Sequence, residues 1–311
     1  MRSIPFLDRA AVAGLAPYGE LVDHLHRSHL DPPAHVRRVV YSPPGSEEVF
    51  LGLPAWQPGE SLGVKLVTVF PDNPLVSGLP SVQAVYVLFD GADGKPLAIM
   101  DGTELTYRKT SADSALGSRL LSRPDSRTLL MVGAGGLAPH LIAAHREVRP
   151  SLRRVLIWNR TRSKAEELAE ATGGEVADSL DEAVSVADII STATMTVEPL
   201  VRGELLQPGT HLDLVGAFLP HCREVDDEVI RRATIFVDSR DAAVHECGDL
   251  VIPLGSGLID DGDIQADLFE LCRAQHPGRR DRTQITMYEN GGGGHLDLMT
   301  ATFIRSRTTD P

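Results

Sequence analysis

Apolar residues recur at helical intervals over residues 8–30, which predicts a helix there. Strands are expected at 36–41 and 63–70. Two more, 81–90 and 95–100, flank Gly91-Ala-Asp-Gly94, a turn-rich hairpin connection. A further helix is expected over 103–121. Pro124 ends it, because proline disfavours helix at the preceding residue. From Arg127 the rhythm changes to alternating strand and helix. Strands are expected at 128–132, 154–158, 188–192, 211–215 and 235–238, with a helix at 137–148. Ser163-Lys-Ala-Glu166 and Ser179-Leu-Asp-Glu182 have capping-box spacing. Such alternation predicts an α/β Rossmann-type, doubly wound parallel sheet. The flanking regions predict a mixed α+β domain. The tail from Thr283 resumes that mixed character, so the chain is expected to return to its first domain. The boundaries are placed at 116–286 for the dinucleotide-binding domain, and at 1–115 with 287–311 for the other. No internal repeat is evident.

A chain of 311 residues is long enough for two such domains. Its formal net charge of −13 argues against a nucleic-acid partner, which would call for a basic stripe. No run of apolar residues has membrane-spanning length, and the N-terminus lacks a signal-peptide cleavage pattern. Cys222, Cys247 and Cys272 are too far apart to be a metal-ligand set and read as reduced thiols. The expectation is a cytoplasmic protein with no metal and no membrane or nucleic-acid partner.

The chemistry concentrates in Gly133-Ala134-Gly135-Gly136-Leu137-Ala138, a G-x-G-x-x-A pattern between an expected strand and an expected helix. The first glycine permits the tight turn, and the second lets backbone approach a pyrophosphate. The small third residue allows close helix–strand packing. The next strand ends in Trp158-Asn159-Arg160-Thr161-Arg162-Ser163-Lys164, where an acid would select the ribose hydroxyl of NAD. No carboxylate stands there, and Arg160 and Arg162 are available to pair with a 2′-phosphate. NADP(H) is therefore favoured as cofactor, with NAD(H) as the alternative.

The chain also resembles the ornithine cyclodeaminase/mu-crystallin family. The resemblance rests on His35-Val-Arg37-Arg-Val-Val40, Gly63-Val-Lys65-Leu-Val67, Met100-Asp-Gly102, Thr106-Tyr-Arg-Lys-Thr110, Val132-Gly-Ala-Gly135, Trp158-Asn-Arg-Thr161, Asp213-Leu-Val-Gly-Ala217 and Arg223-Glu-Val-Asp226. It implies a homodimer, with a substrate-binding and dimerisation domain built from both chain ends. It implies a small amino or imino acid as ligand, its carboxylate gripped by Arg37, Lys65 and either Arg108 or Lys109. Lys65 stands out because it interrupts an apolar strand. It is the candidate catalytic residue. Thr110, Thr192, Thr194, Val215 and Gly216 are implied at the cofactor. His295 is a candidate at the substrate and a candidate proton donor. Asp297 aligns with a family aspartate and is otherwise expected to cap the last helix.

One departure bears on the reaction. Ornithine cyclodeaminases and the related alanine dehydrogenases carry an amine-handling aspartate where this chain has Phe218. An apolar wall suits a cyclic ketimine, which has no free side-chain amine; the other reading of Phe218 is core packing. The resemblance thus implies NAD(P)H-dependent reduction of Δ1-pyrroline-2-carboxylate to L-proline, or of Δ1-piperideine-2-carboxylate to L-pipecolate. The alternatives are an ornithine cyclodeaminase or amino-acid dehydrogenase, and a non-enzymatic, mu-crystallin-like NADP-binding protein.

Overall fold

The computed structural model describes residues 4–308. The chain divides into two compact units, residues 1–110 with 293–311, and residues 111–292.

The first unit is built on a seven-stranded sheet. Its strands are β1 (Phe6–Leu7), β2 (His35–Val36), β3 (Val39–Tyr41), β4 (Val49–Gln57), β5 (Ser61–Val69), β6 (Val82–Asp90) and β7 (Pro96–Asp101). Their order is β1-β7-β6-β5-β4-β2, with β3 also on β4. Among the described residues, only β1 pairs in parallel; the other pairings are antiparallel. The helix expected over 8–30 is two helices, Arg9–Leu15 and Tyr18–Ser28. Pro17 opens the second and forces Ala16 out of helical geometry. Strand β4 was not anticipated, because Gly52 and Pro54 hide its apolar alternation. It pairs with β5 from Val49↔Val69 to Gln57↔Ser61. Strand β5 buries every second residue, so Ser61, Gly63, Lys65 and Val67 share the covered face. The helix Gly294–Ser306 packs on β4, β5 and the helix Tyr18–Ser28.

The second unit carries eight strands: β8 (Thr128–Val132), β9 (Arg154–Trp158), β10 (Glu175–Val176), β11 (Ile189–Thr192), β12 (His211–Leu214), β13 (Ala233–Val237), β14 (Ile264–Asp267) and β15 (Ile285–Glu289). All pairings are parallel, in the order β10-β9-β8-β11-β12-β15-β13-β14. Winding runs outward from β8 both ways, so the fold is the expected α/β doubly wound sheet. Apolar cores cover both faces, with Leu130, Ile190 and Leu212 on one and Leu129, Met131 and Ile157 on the other. The last strand corrects the boundary drawn at 286. Strand β15 inserts between β12 and β13, and all five of its residues are buried, so the unit continues to Gly292. The Ser163 capping box does not form, since Thr161 precedes the helix Arg162–Thr172. Ser179 does cap its helix, accepting from the Glu182 N–H at 3.3 Å.

Among the described residues, no helix is long and apolar enough to cross a membrane. Among them, too, no group of three His, Cys, Asp or Glu side chains is placed to hold a metal ion.

Candidate functional sites

In the first unit, alternation along β5 turns Lys65 inward, where it is 7% exposed. Its Nζ lies 3.0 Å from Oδ1 and 2.9 Å from Oδ2 of Asp297, a residue 232 positions away. Asp297 therefore serves no helix cap; the helix Gly294–Ser306 has Gly293 at its N-cap and no side-chain cap bond. Lys109 Nζ stands 3.9 Å from the same carboxylate and is also buried. Burial pulls the Lys65 ammonium below its ordinary range, and Lys109 adds to this, while Asp297 opposes it. Two ammonium groups thus meet one carboxylate, which leaves an unbalanced positive charge in a buried place.

The neighbouring cation is engaged elsewhere. Arg108 Nε donates to Glu104 at 2.8 Å, and its guanidinium lies 4.8 Å from the Tyr18 ring centroid. Successive helical residues point about 100° apart, so only one of the pair can face Asp297. That residue is Lys109. Arg37 sits on the exposed segment between β2 and β3, its N–H donating to the Pro54 carbonyl. His295 is buried and edge-on to His29, with ring centroids 6.0 Å apart. Burial first, then His29 and Lys109, push it down to about 3. At neutral pH it is an uncharged imidazole, so the imidazolium donor suggested by its ordinary pKa is absent. A cavity of about 400 Å³ borders it, with Ser28, Gln57, Ser61 and Thr302 in the wall. Tyr86 was missed by the sequence reading. It pairs across from Lys65, and among the described residues its buried hydroxyl has no hydrogen-bond partner.

In the second unit, a cleft of about 340 Å³ opens at the carboxyl ends of β8, β9 and β11. This is the switch point of a doubly wound sheet, where ligands of such folds bind. Gly133, Ala134 and Gly135 form its floor. Gly133 has φ +107°, and a Cβ there would meet the Ala193 carbonyl at 2.7 Å, so only glycine fits. A Cβ on Gly135 would meet nothing within 4 Å, which leaves open space in front of its backbone. Gly136 and Leu137 lead into the helix Ala138–Val148, whose first turn has no side-chain cap.

The opposite wall carries Trp158, Arg160, Thr161 and Lys164. Asn159 also borders the cleft, but its side chain braces the loops. Its Oδ1 accepts from Ala134 N–H at 3.2 Å and its Nδ2 donates to the Thr161 carbonyl at 2.8 Å. Arg162 points away from the cleft, paired with Glu166 at 2.9 Å and Asp178 at 2.6 Å. Lys164 takes its place beside Arg160. Ala193, Thr194 and Thr196 close the third side. Thr192 and Gly216 lie behind it, both bonded to Glu224. Val215 is core, 7% exposed. Phe218 is 44% exposed, so it is not core packing. Thr110 is 7% exposed in the first unit, next to Lys109.

A doubly wound sheet with a glycine cradle and a basic second wall defines a dinucleotide-binding protein. The first unit buries Lys65 and Lys109 beside Asp297. The ornithine cyclodeaminase/mu-crystallin family model matches residues 26–311. A Δ1-pyrroline-2-carboxylate reductase of Paracoccus denitrificans is 41% identical over 96% of this chain and 95% of its own. The ketimine reductase mu-crystallin of Mus musculus is 39% identical over 86% and 83%. Among solved structures, a Thermococcus litoralis Δ1-pyrroline-2-carboxylate reductase in complex with NADH and L-proline superposes with a TM-score of 0.89. It is 32% identical, over 97% of each chain. The chain belongs to the ornithine cyclodeaminase/mu-crystallin family.

Proposed function

We propose that this protein is an NAD(P)H-dependent reductase of cyclic imino acids, converting Δ1-pyrroline-2-carboxylate to L-proline and Δ1-piperideine-2-carboxylate to L-pipecolate. The observation that carries the reading is the buried Lys65–Asp297–Lys109 cluster, with two cations on one anion. A substrate carboxylate neutralises it, and charge-assisted bonds offset the desolvation of all three groups. The names of the reductase relatives support the same substrate class.

The residues divide the work as follows. Lys65 and Lys109 orient the carboxylate, and Asp297 opposes the fall that burial imposes on the Lys65 ammonium. Lys65 is the candidate donor of the imine proton, since His295 is neutral. The first unit binds substrate and the second binds the dinucleotide, with Gly133 and Gly135 on the pyrophosphate and Thr194 beyond it. The nicotinamide cofactor, when bound, supplies the hydride. Arg160 and Lys164, with no carboxylate in the cleft wall, favour NADP(H) over NAD(H).

Tyr41 and Phe50, cross-strand neighbours, are 64% and 45% exposed, and Val39 and Val40 are each 58% exposed. An apolar patch of that kind supports a homodimer formed by the first unit. Sedimentation at micromolar concentration is expected to return a dimer, and a monomer contradicts it. Cys222, Cys247 and Cys272 are all free and buried, which supports a reducing compartment such as the cytoplasm. Fractionation that recovers the protein outside the cytosol contradicts that placement.

The catalytic reading is tested by adding each cyclic imino acid with NADPH or NADH and following the reduced cofactor. Oxidation dependent on the imino acid is expected. Ammonia release from ornithine without such oxidation assigns the chain to the cyclodeaminase branch instead.

A further inference from the structure

Glu224 lies in the second unit, completely buried, in the segment between β12 and β13. It belongs to none of the groups the reaction above uses. Its carboxylate nevertheless accepts four hydrogen bonds. Thr192 Oγ1 donates to Oε2 at 2.6 Å, and the Gly216 N–H donates to the same oxygen at 2.8 Å. The N–H and Oγ1 of Thr194 both donate to Oε1 at 2.6 Å. These donors sit at two strand ends: Thr192 and Thr194 at and after the end of β11, and Gly216 after β12. A single side chain therefore ties together the two strand ends on one side of the switch point. Glu224 is itself anchored from below, its own N–H donating to Asp249 Oδ1 at 2.9 Å.

The charge distribution fits this role. Burial pushes the Asp249 carboxyl up to about 8, and the adjacent Glu224 adds to the effect. Burial also raises Glu224, but its bonds from Thr192, Thr194 and Gly216 oppose the rise. The four donors thus work against the burial that raises the Glu224 carboxyl.

The position of the tied loops gives the arrangement its consequence. In a doubly wound sheet the pyrophosphate sits at the first strand–helix turn, and the adenosine ribose at the end of the next strand. Here those are Gly133–Gly135 and Arg160. The loops after β11 and β12 lie on the other side of β8, where the remaining half of the dinucleotide falls. Thr194 lines the cleft directly.

We propose that Glu224 is a positioning residue that fixes the cleft wall for the nicotinamide half of the dinucleotide. This rests on the reading that the cleft takes such a cofactor. Glutamine at 224 keeps the size but replaces one acceptor oxygen with an NH₂ group facing N–H or O–H donors. That mispairing leaves a buried donor unsatisfied and loosens the tied strand ends, so Glu224→Gln is expected to weaken the dinucleotide roughly 10-fold or more. Binding of the adenosine half alone, probed with adenosine 2′,5′-bisphosphate and with 5′-AMP, is expected to stay unchanged.

The decisive quantity is the ratio of the two losses, read by titration calorimetry without turnover. Thr192→Val is the companion variant. It removes one donor from Glu224 and leaves the cleft lining intact, so it is expected to shift the ratio in the same direction by less. If Glu224→Gln does not fold, the Thr192→Val ratio decides. Equal loss for dinucleotide and fragment, or no loss for either, overturns the positioning role. Wild-type protein that binds neither NADPH nor NADH overturns the cofactor reading instead.

Discussion

Lys65→Ala is expected to lower kcat/KM for Δ1-pyrroline-2-carboxylate by at least about 100-fold, the scale of losing one partner of a buried ion pair. Dinucleotide affinity is expected to stay at the wild-type value. Two effects act together. The substrate carboxylate loses a charge-assisted donor, and Asp297 is left with Lys109 alone at 3.9 Å. The cluster then carries no surplus positive charge, so an incoming anion meets a neutral, buried pair. Folding stability also falls, because Asp297 is almost fully buried and loses its nearest partner. Calorimetric binding of NADPH, measured beside steady-state kinetics, separates the two losses. Unchanged kcat/KM in a folded variant contradicts the role given to Lys65.

Arg160→Ala carries the second large effect. Arg160 is exposed on the cleft wall, so its worth to a 2′-phosphate lies toward the lower end of about 1.5–3 kcal/mol for a bond to a charged group. NADPH affinity is expected to fall roughly 10-fold, with NADH nearly unaffected. Arg162→Ala is the control. Its guanidinium is held by Glu166 and Asp178, so its removal is expected to leave the NADPH to NADH ratio alone. Equal weakening of both cofactors by Arg160→Ala removes the 2′-phosphate role, and with it the preference for NADP(H).

Both predictions start from features visible in the sequence, and both needed the structure to become specific. Lys65 was legible because a lysine in an apolar strand demands a partner. The partner was not, since Asp297 lies 232 residues away and reads locally as a helix cap. The choice between Arg108 and Lys109 turned on helical phase, which adjacent sequence positions do not reveal. The glycine cradle was legible because Gly133 and Gly135 impose backbone geometry wherever they stand. The cations after β9 were half legible. Arg160 and Arg162 look alike in sequence, and only the helix starting at Arg162 turns the latter toward Glu166.

The fold shows the same division. Short buried strands such as β8 and β11 announced themselves as apolar runs between turn signals. Strand β4 did not, because Gly52 and Pro54 interrupt its pattern. Strand β15 was read as the start of the returning tail, because its place between β12 and β13 is fixed by long-range pairing. Glu224 stood inside the Arg223–Asp226 segment of the family resemblance, but nothing in the sequence marked what it does. One acid in a polar segment is unremarkable until burial and four converging donors single it out.

The most direct measurement incubates the purified protein with Δ1-pyrroline-2-carboxylate and NADPH, then resolves the product by chiral chromatography. L-proline is expected in amounts equal to the cofactor oxidised. No proline and no oxidation, with NADPH and with NADH alike, would contradict the proposed reduction.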